Sequence, residues 1–450
     1  MSARNRELLA LIPVALLITT GFTSVLLVDT LDVGNVTLTY GGYFLAICLA
    51  THVLIRIRLP YADPYLFPLV ALLAAIGLVV LYRIDESLAV EQANLFVLAV
   101  VLFALTIVFL RDVGVFERYR YLIATAGIIL LALPRVPGIG AETNEAFLSI
   151  ELGPLSFQPA ELGKICIVVF LASYLRERRE VLIVGARRLL GVTLPPLKHF
   201  GPLLAVWGVT MVMLFLIRDL GSSLMFYGAF LALLYVATNR LSFVVIGLLM
   251  FVFGAWLIGG LEGHVAERFD IWLDPFARNG PEGAGQVQQA LFAQAEGGLF
   301  GEGLGQSLLK LPGPFAPDCN VPFPDCGSIL PAPHTDFIYA VITDELGLFG
   351  ASAVVLIYAL ITARGFKAAL TAPDGFSKLL AAGLTAVLAL QAFVIIGGVV
   401  RVIPLTGVTL PFVSAGGSSV VANMILVALL LIVSNDARRP RPAGDPVREA

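Results

Sequence analysis

The chain has 450 residues, 58% of them hydrophobic and only 14% charged, and its mean hydropathy is +0.91. Soluble domains carry about 25% charged residues, so this composition excludes an ordinary soluble enzyme. The net charge of −3 carries no information about nucleic acid, and with no basic patch interleaved with aromatics no nucleic-acid partner is expected. Apolar runs of about twenty residues recur, each long enough to cross a bilayer core of roughly 30 Å. A transmembrane barrel would instead show short alternating segments.

These runs predict an all-α polytopic membrane protein. About twelve transmembrane helices are expected, near 8–28, 40–58, 65–82, 93–110, 119–134, 158–176, 200–217, 221–238, 241–261, 337–362, 378–400 and 409–434. The first run ends without a small-x-small cleavage pattern and reads as a retained anchor. Arg4 and Arg6 precede it, and Arg56 and Arg58 follow the second run. Arg111, Arg118 and Arg120 follow the fourth, Arg176, Arg178 and Arg179 the sixth, Arg364 and Lys367 the tenth. All fall on one side of an even-numbered topology, and the positive-inside rule makes that side cytoplasmic, with both termini. Residues 436–450 read as a disordered cytoplasmic tail rich in Arg, Pro and acidic residues.

In the sixth run Glu161 and Lys164 stand three apart on one helical face. Opposite charges in a membrane helix pair and face a polar interior, which suits a substrate cavity or an ion pair that fixes packing. One large extracytoplasmic loop follows, about 262–335, with Arg268 and Trp272 near its start and a glycine-rich stretch, Gly297 to Gly305, further on. Its aromatics and amphipathic run favour order over a mobile linker. Cys319 and Cys326 lie in it, where an oxidising compartment permits a disulfide. Closing so short a loop would contribute roughly 2–3 kcal/mol. No set of ligands suggests a metal site.

The loop ends in His334-Thr335-Asp336-Phe337, which runs straight into an apolar span. A carboxylate at a helix mouth is costly to keep and reads as functional; a helix N-cap worth about 1 kcal/mol is the structural alternative. Asp344 and Glu345 lie two turns further on and should face the bundle interior. Arg268, Lys310 and Arg401 are the candidate cations for an anionic ligand, with an ordinary surface or interfacial charge the alternative for each. Pro411 to Ser419 is rich in small residues that let helices approach closely, with Ser414 and Ser418 as further substrate contacts.

Taken in order, Phe157-Gln158-Pro159-Ala160-Glu161, Trp272-Leu273-Asp274-Pro275, Gly301-Glu302-Gly303-Leu304-Gly305, His334-Thr335-Asp336-Phe337, Asp344-Glu345-Leu346-Gly347 and Pro411-Phe412-Val413-Ser414-Ala415-Gly416-Gly417-Ser418-Ser419 resemble the SEDS family (shape, elongation, division and sporulation), which includes RodA and FtsW. The resemblance implies a ten-span core over 63–435 behind a two-span N-terminal extension, 1–62, as in some actinobacterial members. It implies a peptidoglycan glycosyltransferase of the bacterial cytoplasmic (inner) membrane. Such an enzyme polymerises lipid II into glycan strands and releases undecaprenyl diphosphate, in cell elongation or division. Asp336 takes the place of the catalytic aspartate; Glu161, Lys164, His334, Thr335, Arg268, Lys310, Ser414 and Ser418 would bind substrate. A class B penicillin-binding protein is the implied partner, beside membrane lipids, and a divalent cation, Mg or Mn, is implied by analogy alone. The family's Arg-Trp pair is replaced here by Asn144-Glu145-Ala146-Phe147-Leu148, which loses a cation and keeps an aromatic. A lipid-linked precursor flippase and an inactive cell-wall scaffold are the rival readings.

Overall fold

A computed structural model describes residues 2–440 except 30–34, 137–139, 144–145, 153–154, 184–186, 190–191, 195–203, 205–206, 210–211, 213–219, 260–262, 278–283, 308–329 and 331. The chain divides into two compact units. The first gathers residues 1–105, 268–363 and 391–427, the second 106–267, 364–390 and 428–450.

The helices in chain order open with α1 (Ala3–Ala10), α2 (Ile12–Asp29), α3 (Asn35–Arg58), α4 (Leu66–Ile84) and α5 (Glu86–Phe109). After them come α6 (Gly114–Arg118), α7 (Arg120–Ala132), α8 (Pro159–Ile183), α9 (Leu220–Thr238) and α10 (Leu241–Gly259). The former loop contributes α11 (Gly263–Leu273) and α12 (Ala284–Gly297), and α13 (Ile338–Thr371), α14 (Gly375–Val399) and α15 (Gly417–Arg438) close the chain. Among the described residues eight helices are long and apolar enough to cross a membrane. Helix α7 is short at 13 residues, and α8 carries charges at both ends. The run expected at 200–217 lies almost wholly outside the described residues.

The helical fold class holds, with an addition that the apolar runs did not announce. Between α7 and α8 an antiparallel sheet forms from β1 (Gly140–Thr143), β2 (Ala146–Leu152) and β3 (Leu155–Phe157). Its register sets Ile150 opposite both Gly140 and Phe157. The stretch Phe147-Leu148-Ser149-Ile150-Glu151-Leu152 contains an apolar–polar alternation of period two, the pattern of a strand. A short hairpin, β4 (Arg187–Leu189) with β5 (Val192–Leu194), follows α8.

In the first unit α2 packs against α3 and α4. Helix α4 is the buried centre: Leu66, Val70, Leu73 and Leu81 are fully enclosed. At Gly77 the backbone carbonyls of Phe412 and Val413 approach so closely that a Cβ would sit 2.8 and 2.6 Å from them. Small residues let backbones approach in this way inside a bilayer. In the second unit α7 lies along α8, with Gly127 against Cys166.

Helix α13 is broken. Gly347 adopts φ 64° and ψ −169°, a conformation open to glycine and strained for other residues. The break frees backbone groups to bond the glycine-rich stretch after α12. The Glu302 and Gly303 amides donate to the Asp344 and Glu345 carbonyls at 3.0 Å each, and the Leu348 amide donates to the Gly298 carbonyl at 2.9 Å. Irregular backbone is tolerated at such places because protein satisfies it. Asp344 and Glu345 are buried here as expected, and Arg83 of α4 meets Glu345 at 3.1 Å while Ser307 donates to it at 2.8 Å.

Candidate active site

Asp336 sits in the turn that opens α13. The amides of Thr335 and Phe337 both donate to the Ala332 carbonyl at 3.3 Å, and Ala332 takes a left-handed φ of 45°. This tight wrap puts the carboxylate at the helix mouth instead of along its wall.

The turn is held from the side by the segment between α14 and α15. Ala415 donates to the His334 carbonyl at 2.8 Å, and the Ser414 hydroxyl donates to the Thr335 carbonyl at 2.7 Å. That hydroxyl also accepts from the Leu410 amide at 3.0 Å. The segment is itself braced by three helices. Gln92 of α5 bonds it twice, donating to the Ser414 carbonyl and accepting from the Gly416 amide, both at 3.2 Å. Tyr358 of α13 donates to the Pro411 carbonyl at 2.5 Å, and Gln391 of α14 donates to the Thr409 carbonyl at 3.0 Å. Buried side-chain bonds of this kind are costly to leave half made, so the arrangement is rigid.

A second clamp fixes α11. The Arg401 guanidinium donates to the Trp272 carbonyl at 2.8 Å and the Leu273 carbonyl at 3.1 Å, and the Trp272 indole donates back to the Arg401 carbonyl at 3.1 Å. Arg401 therefore acts as a strut for the helix that carries Arg268. Arg268 donates to the Leu405 carbonyl at 2.8 Å.

Asp336 and Arg268 converge on one exposed backbone position, Gly407. A Cβ there would stand 3.8 Å from the Asp336 carboxylate and 3.9 Å from the Arg268 guanidinium. The space is thus kept bare beside an acid and a cation. Asp336 retains some exposed surface, yet crowding by protein pushes its carboxyl up to about 6. Desolvation is the dominant cause, and the Arg268 charge opposes it. A carboxylate tuned toward neutrality is a better proton acceptor than an ordinary one.

The remaining sequence-predicted residues divide. Asp336, Arg268, His334, Thr335 and Ser414 are brought together in the first unit; His334 and Thr335 contribute their carbonyls to the bracing. Ser418 stands nearby in sequence, buried in the first turn of α15. Glu161 and Lys164 belong to the second unit and form a buried ion pair at 2.5 Å in the first turns of α8. Lys310 and the cysteines Cys319 and Cys326 lie outside the described residues, as do Asn144 and Glu145. Ala146, Phe147 and Leu148 begin strand β2. Sequence reasoning missed Gln92, Tyr358 and Gln391, although a glutamine inside an apolar span is itself the signal.

The FtsW/RodA/SpoVE family, described as cell cycle protein, matches residues 64–439. The chain belongs to this family. Family membership and eight apolar helices together make it a multi-pass membrane protein. Peptidoglycan glycosyltransferase RodA of Mycobacterium tuberculosis (strain ATCC 25618 / H37Rv) is 41% identical over 413 residues, covering 89% of this chain and 84% of that protein. Stage V sporulation protein E of Bacillus subtilis (strain 168) is 31% identical, covering 84% and 98%. Among solved structures, one described as "Structural coordination of polymerization and crosslinking by a peptidoglycan synthase complex" aligns with a TM-score of 0.65 at 28% identity, covering 84% of this chain and 99% of that one. The rod shape determining protein RodA of Thermus thermophilus aligns with a TM-score of 0.57 at 25% identity, over 84% and 98%.

Proposed function

We propose that this protein is a peptidoglycan glycosyltransferase that polymerises lipid II, with Asp336 as the general base. The observation that carries the reading is the braced Asp336 carboxylate, raised toward neutrality beside Arg268. In the reaction an acceptor sugar hydroxyl attacks the anomeric carbon of the donor. The new glycosidic bond forms as the bond to the diphosphate breaks. The hydroxyl proton passes to Asp336, and undecaprenyl diphosphate leaves with the bonding electrons. Arg268 supplies positive charge where the leaving group gathers negative charge. The same charge keeps Asp336 mainly ionised at neutral pH. Glu161 and Lys164, enclosed as an ion pair within their own unit, would back the wall of a substrate cavity.

Among the described residues no group of three metal-ligating side chains is present. A divalent cation would act at the substrate diphosphate, where it would neutralise charge on the leaving group. The distribution of basic residues supports a site on the outer face of the bacterial cytoplasmic membrane with both termini cytoplasmic. Identity of 41% to RodA, against 31–32% to the sporulation and FtsW relatives, favours wall growth that sets rod shape. A class B penicillin-binding protein is the partner that would crosslink the strands, as a relative's structure pairs polymerisation with crosslinking.

The test is lipid II polymerisation by purified protein with its transpeptidase partner, beside Asp336→Ala. Strands from the wild type and none from a folded variant support the reading. Absence of strands from both moves the weight to a flippase or a scaffold.

A further inference from the structure

The first unit holds a cavity of about 260 Å³ away from Asp336, bounded by α2, α3, α4 and α5. Helices α2 and α3 precede the family match, which begins at residue 64, so the extension builds half of the wall. The lining is almost wholly apolar: Ile18, Phe44, Ile47, Leu78, Phe96 and Val97 form the body. Asn94 and the tyrosines Tyr40, Tyr43 and Tyr82 are its polar side chains, and an aromatic cluster marks one end. There Phe22, Tyr40 and Tyr82 form a triangle with centroids 5.2 to 6.2 Å apart, and the Tyr40 hydroxyl reaches Glu86 at 3.4 Å. That end lies at the turn between α4 and α5, a helix terminus where amphipathic aromatics mark a membrane interface.

All four walls are helices long and apolar enough to cross a membrane. The cavity is open at its side: Tyr43 is 68% exposed, Val90 42% and Val97 43%. A side opening between such helices faces hydrocarbon. We propose that the cavity binds one acyl chain of a membrane phospholipid, with its polar end at the Tyr40–Glu86 rim. Apolar cavities of about 150 Å³ already take up small hydrocarbons, and bilayer acyl chains are present at concentrations that favour occupancy by mass action. Helix α5 shares one face with the cavity and through Gln92 braces the segment that holds the Asp336 turn. The occupied site therefore borders the catalytic scaffold.

The test uses the full chain in phosphatidylglycerol nanodiscs doped with a phosphatidylglycerol carrying a diazirine on its acyl chain. After photolysis, adducts are mapped by peptide mass spectrometry. Adducts on Tyr40–Ile47 and Ala89–Val97 are expected about tenfold above those on exposed Leu356 and Leu360 of α13, a preference of about 1.4 kcal/mol. Ala93→Phe, or the smaller Ala93→Leu should the first fail to fold, removes the excess and leaves the α13 adducts unchanged. Equal labelling at cavity and control, or an excess indifferent to both substitutions, overturns the proposal. So does an excess seen only with a diazirine isoprenoid diphosphate in a parallel arm. None of these readouts depends on polymerase activity.

Discussion

Replacing Asp336 with asparagine tests the electrostatics of the site through stability instead of turnover. The carboxyl moves from 3.8 in an ordinary setting to about 6 in the folded chain. The folded state therefore holds the proton more tightly than the unfolded state does. Its stability falls as pH rises from about 4 through about 6, and above that the full penalty is present. At 1.36 kcal/mol for each tenfold change, the move corresponds to a ceiling of about 3 kcal/mol. Asp336 keeps some exposed surface, so about 2 kcal/mol is the expected gain for Asp336→Asn at pH 8. That gain amounts to a melting point higher by a few degrees. Thermal unfolding in a single detergent, followed from pH 8 down to about pH 4, reads it directly. The variant is expected to be the more stable protein at pH 8, to lose that advantage as pH falls, and to make no glycan. A variant less stable than wild type at every pH, or an advantage independent of pH, would refute the claim that burial of charge is the main influence on Asp336.

The other predictions follow the same contacts. Polymerisation by the wild type should rise with pH through about 6 as Asp336 ionises; Arg268→Ala should move that midpoint upward, because Arg268 lowers the Asp336 value, and should reduce kcat by about 10²–10³-fold. A pH–rate profile of both proteins checks this. Breaking the Glu161–Lys164 pair from one side, as in Lys164→Met or Glu161→Gln, should cost about 3–5 kcal/mol by leaving a buried charge, whereas the double variant should recover most of it; denaturation of the three variants closes the cycle. Gly77→Ala should cost about 1–3 kcal/mol and lower kcat, since its Cβ would press on the Phe412 and Val413 carbonyls of the segment that braces the Asp336 turn. Thermal unfolding together with polymerisation reads both effects.

Long apolar runs alone settled the class of this protein, because a bilayer accepts backbone only as closed hydrogen-bonded helices or barrels. The sequence also picked out Asp336, Arg268 and Ser414, since polar groups beside apolar runs carry a cost that must serve something. The Glu161–Lys164 pairing was legible from three-residue spacing, a purely local fact. Other features required the third dimension. Gln92 and Ser414 are 322 positions apart, and nothing in either neighbourhood announces that one grips the other. Arg401 looked like a ligand for an anion and turned out to grip the carbonyls of Trp272 and Leu273, because a cation finds whichever acceptors the fold brings within reach. The sheet from Gly140 to Phe157 was masked by its apolar neighbours, and only strand pairing made its short alternation decisive. The raised carboxyl at Asp336 likewise belongs to tertiary structure, for desolvation measures how closely distant segments crowd a group, and that closeness is set by packing.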